Sequence, residues 1–299
     1  MNSKKPTITL LISYLNSALS GLCLLLIVHS VAYADSVVHY PRAESAADER
    51  VNYYSQLLDL CLTKSNKNYQ LAPTAFHVEQ ERALQLIEAN RGLEVIWTFT
   101  TSAREEKLMP IRIPIDRGLF GWRIFLIKKS NQKLFNDVEN AEQLAKLRAG
   151  QGHDWPDTDI LQSNNFLISG STTYEGLFDM LARDHIQYFP RSMLEIALEL
   201  KSHPTHDLAI ESNLALHYPT ALYFFVNKKN TELADDLQKG LQIAIEDGSF
   251  KKLFDSHFSE TIRTANLAQR KIISINNPLL PAQTPLSESR YWFSPEKNY

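Results

Sequence analysis

The side chains whose types and spacing suit chemistry gather around three points, and the first is Arg104. It closes the run LEVIWTFTTSAR (residues 93–104), in which Thr98, Thr100 and Ser102 alternate and so share one side of an extended segment. A guanidinium gives a planar fork of donors, and hydroxyls beside it can orient the same bound group. Strand propensity alone explains the hydroxyl residues equally well. Trp97 and Phe99 then face the core, and a slip of one residue exchanges the two sets. The second point is Gln151, Gly152, His153 and Asp154, just before a helix start at Pro156. Backbone N–H groups at such a start suit a carboxylate or phosphate. Asp154, Asp157 and Asp159 satisfy the same start themselves and repel an anion. Trp155 either stacks on a ligand or caps the core. The third point is Arg191 in YFPRSMLE, which is either functional or a surface arginine near a helix start, with Glu195 one turn later.

Nothing in these patterns supports catalysis strongly. No HExxH, GxSxG or GxxxxGK[ST] spacing occurs. His203 and His206 flank Pro204 and read as a surface loop pair, and Glu105, Glu106 and Asp184 have no identifiable partner. No metal or other cofactor is expected.

The elements that must position these groups follow an export signal. Residues 1–34 carry Lys4 and Lys5, the apolar run GLCLLLIV and a small-x-small site at Ala32-Tyr33-Ala34, so cleavage is expected after Ala34 and the periplasm is the expected address. The rival is an uncleaved anchor, for which the apolar run is short. A lipoprotein is disfavoured because Leu22 precedes Cys23. Cleavage moves the formal charge from −3 to −5, which gives no electrostatic reason to bind nucleic acid. Cys61 alone remains, on an amphipathic pattern that reads as a small buried hydrophobe.

Strands are expected at SVVHY, at 69–77, at LEVIWTFT and at GWRIFLIKK, with helices over 46–63 and 80–89. MPIRIPI is extended, since Pro110 and Pro114 keep the residues before them out of helical geometry. Beyond Lys129 a helix over 134–147, a glycine turn AGQG, a short helix near Pro156, a strand NFLIS, a capping box TTYE and a strand over 186–189 follow in order. The segment 192–200 reads as a helix. LALHYPTALYFFV, interrupted by Pro219, mirrors the first crossing. A helix over 231–245 and a second beginning SFKKLF come next, and a proline-bearing strap starts at about residue 276. Alternating strands and helices argue for an α/β fold with largely parallel sheets.

In that order of elements, YYSQLLDLCL, RALQLIEANRGLEVIWTFTTSAREEKL, LRAGQGHDWPDTDIL and TELADDLQKGLQIAIEDGSFKKLF resemble the type II periplasmic solute-binding proteins, specifically the polar amino-acid-binding family (family 3) of ABC importers. The likeness spans about 36–258. It implies a two-lobed fold, each lobe a mixed, mostly parallel sheet flanked by helices: residues 35–116 with 217–299, and residues 117–216, joined by two crossover hinge strands. Hinge closure would trap a solute in the cleft. The resemblance places Arg104 where the family clamps an α-carboxylate and residues 151–154 in its anion-binding loop. Arg191 falls near the acid that holds an α-amino group. The sequence departs from the family at Asp154 and Arg191, which marks an atypical branch. A small polar solute, a carboxylate within it, an ABC permease or membrane sensor as partner and a monomeric state are the resulting expectations. Two rivals remain. One is a periplasmic enzyme of cyclohexadienyl dehydratase type, with Glu105, Asp154 or Glu195 as acid. The other is an interaction protein that kept the fold without binding.

Overall fold

The structure, a computed structural model, describes residues 36–42, 49–65 and 67–295. The expected signal, its cleavage point and Cys23 lie outside the described residues.

From Val37 onward the chain forms one compact unit. β1 (Ser36–Arg42) pairs with β2 (Tyr69–His77). A three-stranded sheet has β11 (Leu222–Asn227) between β3 (Val95–Phe99) and β4 (Leu108–Ile111), antiparallel to both. Val95, Trp97, Phe224 and Val226 belong to one core, with α1 (Glu49–Lys64) and α8 (Thr231–Glu246). Ile96, Tyr223 and Phe225 belong to another, with Ala83 and Ile87 of α2 (Gln80–Glu88). This alternation fixes the register: Trp97 packs on the main core, and Thr98 lies on the α2 side. Cys61 is buried on α1, and its carbonyl lies so close to Gly240 of α8 that a β-carbon there would stand 2.0 Å from it.

A second sheet has the order β12-β10-β5-β8, formed by β12 (Lys271–Ser274), β10 (Leu214–His217), β5 (Trp122–Lys128) and β8 (Phe189–Ser192), with β9 (Leu208–Ile210) also on β5. β6 (Ala149–Gly152) pairs with β7 (Ile168–Ser171), and Ala149 bridges to Tyr188 at the start of β8. Around these strands lie α5 (Pro156–Ser163), α6 (Tyr174–Ala182) and α7 (Ile196–Ser202). α9 (Ser249–Ala265) follows α8 after the left-handed Gly248. α3 (Ser102–Lys107) and α4 (Ala141–Leu144) are short.

The α/β architecture holds, but the expected parallel character does not. β10–β12 and β6–β7 are parallel, while β11 and β5 run antiparallel to every strand they pair with. Element order counts strands without fixing their direction, and β11 returns between β3 and β4 from the far sheet. AGQG is a buried strand rather than a turn. Gly150 lets Ile186 approach to 2.3 Å of where a β-carbon would stand. The helix expected over 134–147 breaks into a 3-10 turn, Lys129–Phe135, and α4, because Asn140 accepts the Gln143 N–H and starts a new helix. At α6 the cap is Thr173, which accepts from Gly176, and Glu175 turns instead to His203. The segment 192–200 is strand end, turn and α7 in succession.

The strap contacts both segments that link the two sheets. Ile275 N–H donates to the His217 carbonyl and Asn277 Nδ2 to that of Pro219, each at 2.9 Å. Phe293 N–H donates to the Arg117 carbonyl at 2.8 Å. The Trp292 ring lies against Gly118, which holds φ 75°, and would stand 2.7 Å from a β-carbon there. Left-handed geometry and this contact both require glycine.

Candidate functional site

Arg104 sits one turn into α3, whose cap is Thr101. The expected alternation of hydroxyls therefore stops before Ser102, which is exposed on the helix's first turn. The guanidinium turns toward α2: Nη1 donates to Thr98 Oγ1 at 3.0 Å and to the Phe99 carbonyl at 2.7 Å, and Nη2 lies 3.5 Å from Glu81. Thr98 in turn donates to Gln80, and Thr100 donates to Glu105 at 2.6 Å. Glu105 also takes Arg112 at 2.5 Å, so it has partners after all, as does Asp184 with Lys128 and Asn131. Arg104 lines a cavity of about 250 Å³ with Glu81, Glu88 and Lys107.

The residues from the second sheet form a separate group. Gln151 is fully buried in β6, its Nε2 reaching the Pro190 carbonyl at 3.5 Å and its Oε1 without a partner among the described residues. The Trp155 ring covers Gly152, where a β-carbon would stand 2.4 Å from it. His153 is exposed, and its N–H is used by the Ser171 carbonyl. Trp155 and Thr158 likewise donate their N–H groups to the carbonyls of Gly152 and Trp155. Asp157, in the first turn of α5, pairs with buried Arg123 at 2.6 Å and accepts the Tyr218 hydroxyl. At the anion-binding loop that the resemblance implies and the helix start behind it, the N–H groups of His153, Trp155 and Thr158 are thus spent internally, with a carboxylate beside them. Asp154 stays exposed, with His153 3.7 Å away.

Arg191 is buried, not a surface arginine. Glu199 takes its Nε at 2.9 and 2.8 Å and its Nη2 at 2.6 Å, while Glu195 holds Nη2 at 3.1 Å. Such fork contacts are the strong form of ion pair. Phe189 and Trp155 ring centroids lie 4.9 and 5.1 Å from the guanidinium carbon, within cation–π range. Tyr174 donates to Glu199 at 2.9 Å. His203, expected on the surface, is buried, stacked on Phe178 at 3.5 Å, with Nε2 3.0 Å from Glu175.

Arg191, Glu195 and Glu199 line a cavity of about 980 Å³ bounded by β5, β8, α7 and α9. Ile124, Met193, Ile196, Ile210 and Phe258 supply much of its apolar wall. Arg270 also lines it. Its Nε donates to the Ala265 carbonyl at the end of α9, and Nη1 to the carbonyls of Glu211 and Leu214. Its one carboxylate neighbour among the described residues is Glu211 at 3.8 Å. Burial against so distant a counter-charge lowers the basicity of the Arg270 guanidinium. The structure thus brings Thr98 together with Arg104, and Gln151, Gly152 and Trp155 together near Arg191, with each arginine at its own cavity.

The Asp157, Glu199 and Arg270 contacts escaped the sequence reading. Glu195 and Glu199 lie four residues apart, a readable spacing for one helical face. Arg270 left no such signal, because its partners are backbone carbonyls. Among the described residues no cluster of His, Cys, Asp and Glu could hold a metal.

No protein-family model matches the sequence, and no curated protein matches it. Solved structures do. A probable amino-acid ABC transporter extracellular-binding protein, YtmK from Bacillus subtilis, is 17% identical over 75% of this chain and 97% of its own, with a TM-score of 0.57. YckB from Bacillus subtilis is 15% identical over 81% and 96%, with a TM-score of 0.52. The second substrate-binding domain of a putative amino acid ABC transporter from Streptococcus pneumoniae is 14% identical over 75% and 99%, with a TM-score of 0.50. At such identities the likeness is one of fold, and the fold of this chain is that of the type II periplasmic amino-acid-binding proteins.

Proposed function

We propose that this chain is an exported solute-binding protein that holds a small, polar, carboxylate-bearing solute in the cavity bounded by β5, β8, α7 and α9 and delivers it to an ABC importer or a membrane sensor. The cavity carries this reading: its volume of about 980 Å³ suits a small molecule, and it combines an apolar wall with a few charged groups. The fold supports the same reading. Export rests on the leader pattern of residues 1–34, and no helix among the described residues is long and apolar enough to cross a membrane.

In this reading residues 35–116 with 217–299 make one lobe and 117–216 the other, with the two linking segments as hinges. Arg191 and Trp155 shape the solute site. Arg104, with Thr98, Thr100 and Ser102, maintains the turn after β3, and Gln151, Gly152 and His153 support the strand beneath Trp155. The monomer is the working unit.

A thermal-shift screen of the chain freed of residues 1–34, with amino acids, carboxylates, polyamines and sugars, tests it. A solute at a hundred times its dissociation constant stabilises by about 2.7 kcal/mol. The expected hit survives in Arg104→Ala and is lost in Thr261→Trp, which fills the cavity from α9. A hit lost only in Arg104→Ala moves the site to the smaller cavity. No hit at all favours an interaction protein that kept the fold.

A further inference from the structure

We infer that Arg270, on the segment joining α9 to β12, is the group that holds the anionic end of the solute, and that the solute is a small carboxylic acid whose polarity resides in that end and whose remainder is apolar. This inference rests on the cavity reading above. Arg191 and Arg270 are the two arginines of the cavity wall. They differ in how they are neutralised. Arg191 faces two carboxylates within 3.1 Å, so an incoming carboxylate there meets Glu195 and Glu199.

Arg270 has only Glu211, whose oxygens already accept from Gln132 and from the N–H groups of Asn213 and Leu214. The Arg270 side chain is 9% exposed. Its Nη2 makes no hydrogen bond among the described residues, while Nε and Nη1 are fixed by three carbonyls. A buried cation held rigidly, with one donor edge unspent and no close counter-ion, is set up to take an anion. The same cavity is lined by Ile124, Met193, Ile196, Ile210 and Phe258, a wall that accepts hydrocarbon.

The carbonyl bonds of Arg270 also cap α9, so a purely structural role is the alternative. Paired probes separate the two. Isothermal titration of the chain freed of residues 1–34 would compare 3-phenylpropionate with 3-phenylpropionamide, its neutral counterpart. The expected result is an acid bound roughly tenfold or more tightly than the amide. Arg270→Ala should bring the acid to the level of the amide and leave the amide unchanged. If Arg270→Ala does not fold, Arg270→Gln, which keeps an N–H donor and drops the charge, reads the same contrast. Acid and amide bound equally by the unsubstituted protein, or acid binding unchanged in the variant, overturns the role of Arg270 and leaves the cavity reading standing. Neither probe bound overturns an apolar carboxylate as the solute, and the cavity reading falls with it only if the thermal-shift screen is also empty.

Discussion

At the scale of single residues, the buried charges decide more than the exposed ones. Arg191 is 8% exposed and Glu199 is equally buried, so each depends on the other for the hydration it has lost. Glu199→Gln leaves the guanidinium with Glu195 at 3.1 Å as its remaining carboxylate. Loss of a buried partner costs about 3–5 kcal/mol, and the surviving Glu195 sets the expectation at about 3. Urea unfolding of the two proteins would measure it. A matching Arg191→Met in the Glu199→Gln background should recover much of the loss, because the uncompensated charge goes with it. A double variant no more stable than Glu199→Gln would show that the cost lies in packing. In the sequence Arg191 offered function or surface as equal choices, since burial of a charge is set by partners that only the fold assembles.

At the scale of elements, a titratable group stands at each passage between the sheets, buried Asp116 before β5 and half-buried His217 at the end of β10, and the two act in opposite directions. Asp116 precedes β5 and accepts N–H bonds from Gly118 and Phe120, yet burial raises its carboxyl from 3.8 to about 6. Its folded form binds more protons than the unfolded chain between pH 4 and 6, so its contribution to stability falls as pH rises through that window. His217, stacked on Trp122 at 4.1 Å, is lowered by burial from 6.5 to about 4. Here the unfolded chain binds more protons, and the contribution rises with pH over nearly the same range. Shifts of this size correspond to about 3 kcal/mol each, so they largely cancel. Asp116→Asn should therefore unmask a stability that climbs from pH 4 to 6.5, and His217→Gln one that declines from pH 4 to 6. Melting temperatures across that range would test both, and parallel profiles for the two variants would refute the pairing. Pro114 and Pro219, which lie between the sheets, stand out in the sequence as interruptions of extended runs. The titrating groups do not: no spacing marks Asp116, and His217 is one residue of LALHYPTALYFFV. Strand direction was equally hidden, since periodicity marks β11 as buried without saying that it enters between β3 and β4.

At the scale of the molecule, the strap ties together the two segments that link the sheets. About three quarters of the chain is covered by YtmK, almost the whole of that structure, so this chain carries additional residues. The prolines at 278, 281 and 285 signalled a strap in the sequence, but neither β12 nor the contacts of Trp292 and Phe293 could be read there. Those contacts fix the strap to both linking segments: Phe293 is buried against Trp122 at 5.8 Å and bonds to Arg117, while Asn277 holds Pro219. A strap bonded to both linking segments favours the arrangement in which they now lie. Phe293→Ala should cost about 3–5 kcal/mol, as removal of a buried phenylalanine does. Truncation after Ile275 should go further, releasing both segments together. The truncated chain would then sample more open arrangements without solute, and its binding would weaken by the fraction of molecules no longer competent. Small-angle scattering and titration on the same samples would follow the two effects. A larger radius of gyration that solute restores is the expected result. An unchanged radius with lower stability would make the strap a brace for the core and leave the hinges to the linking segments alone.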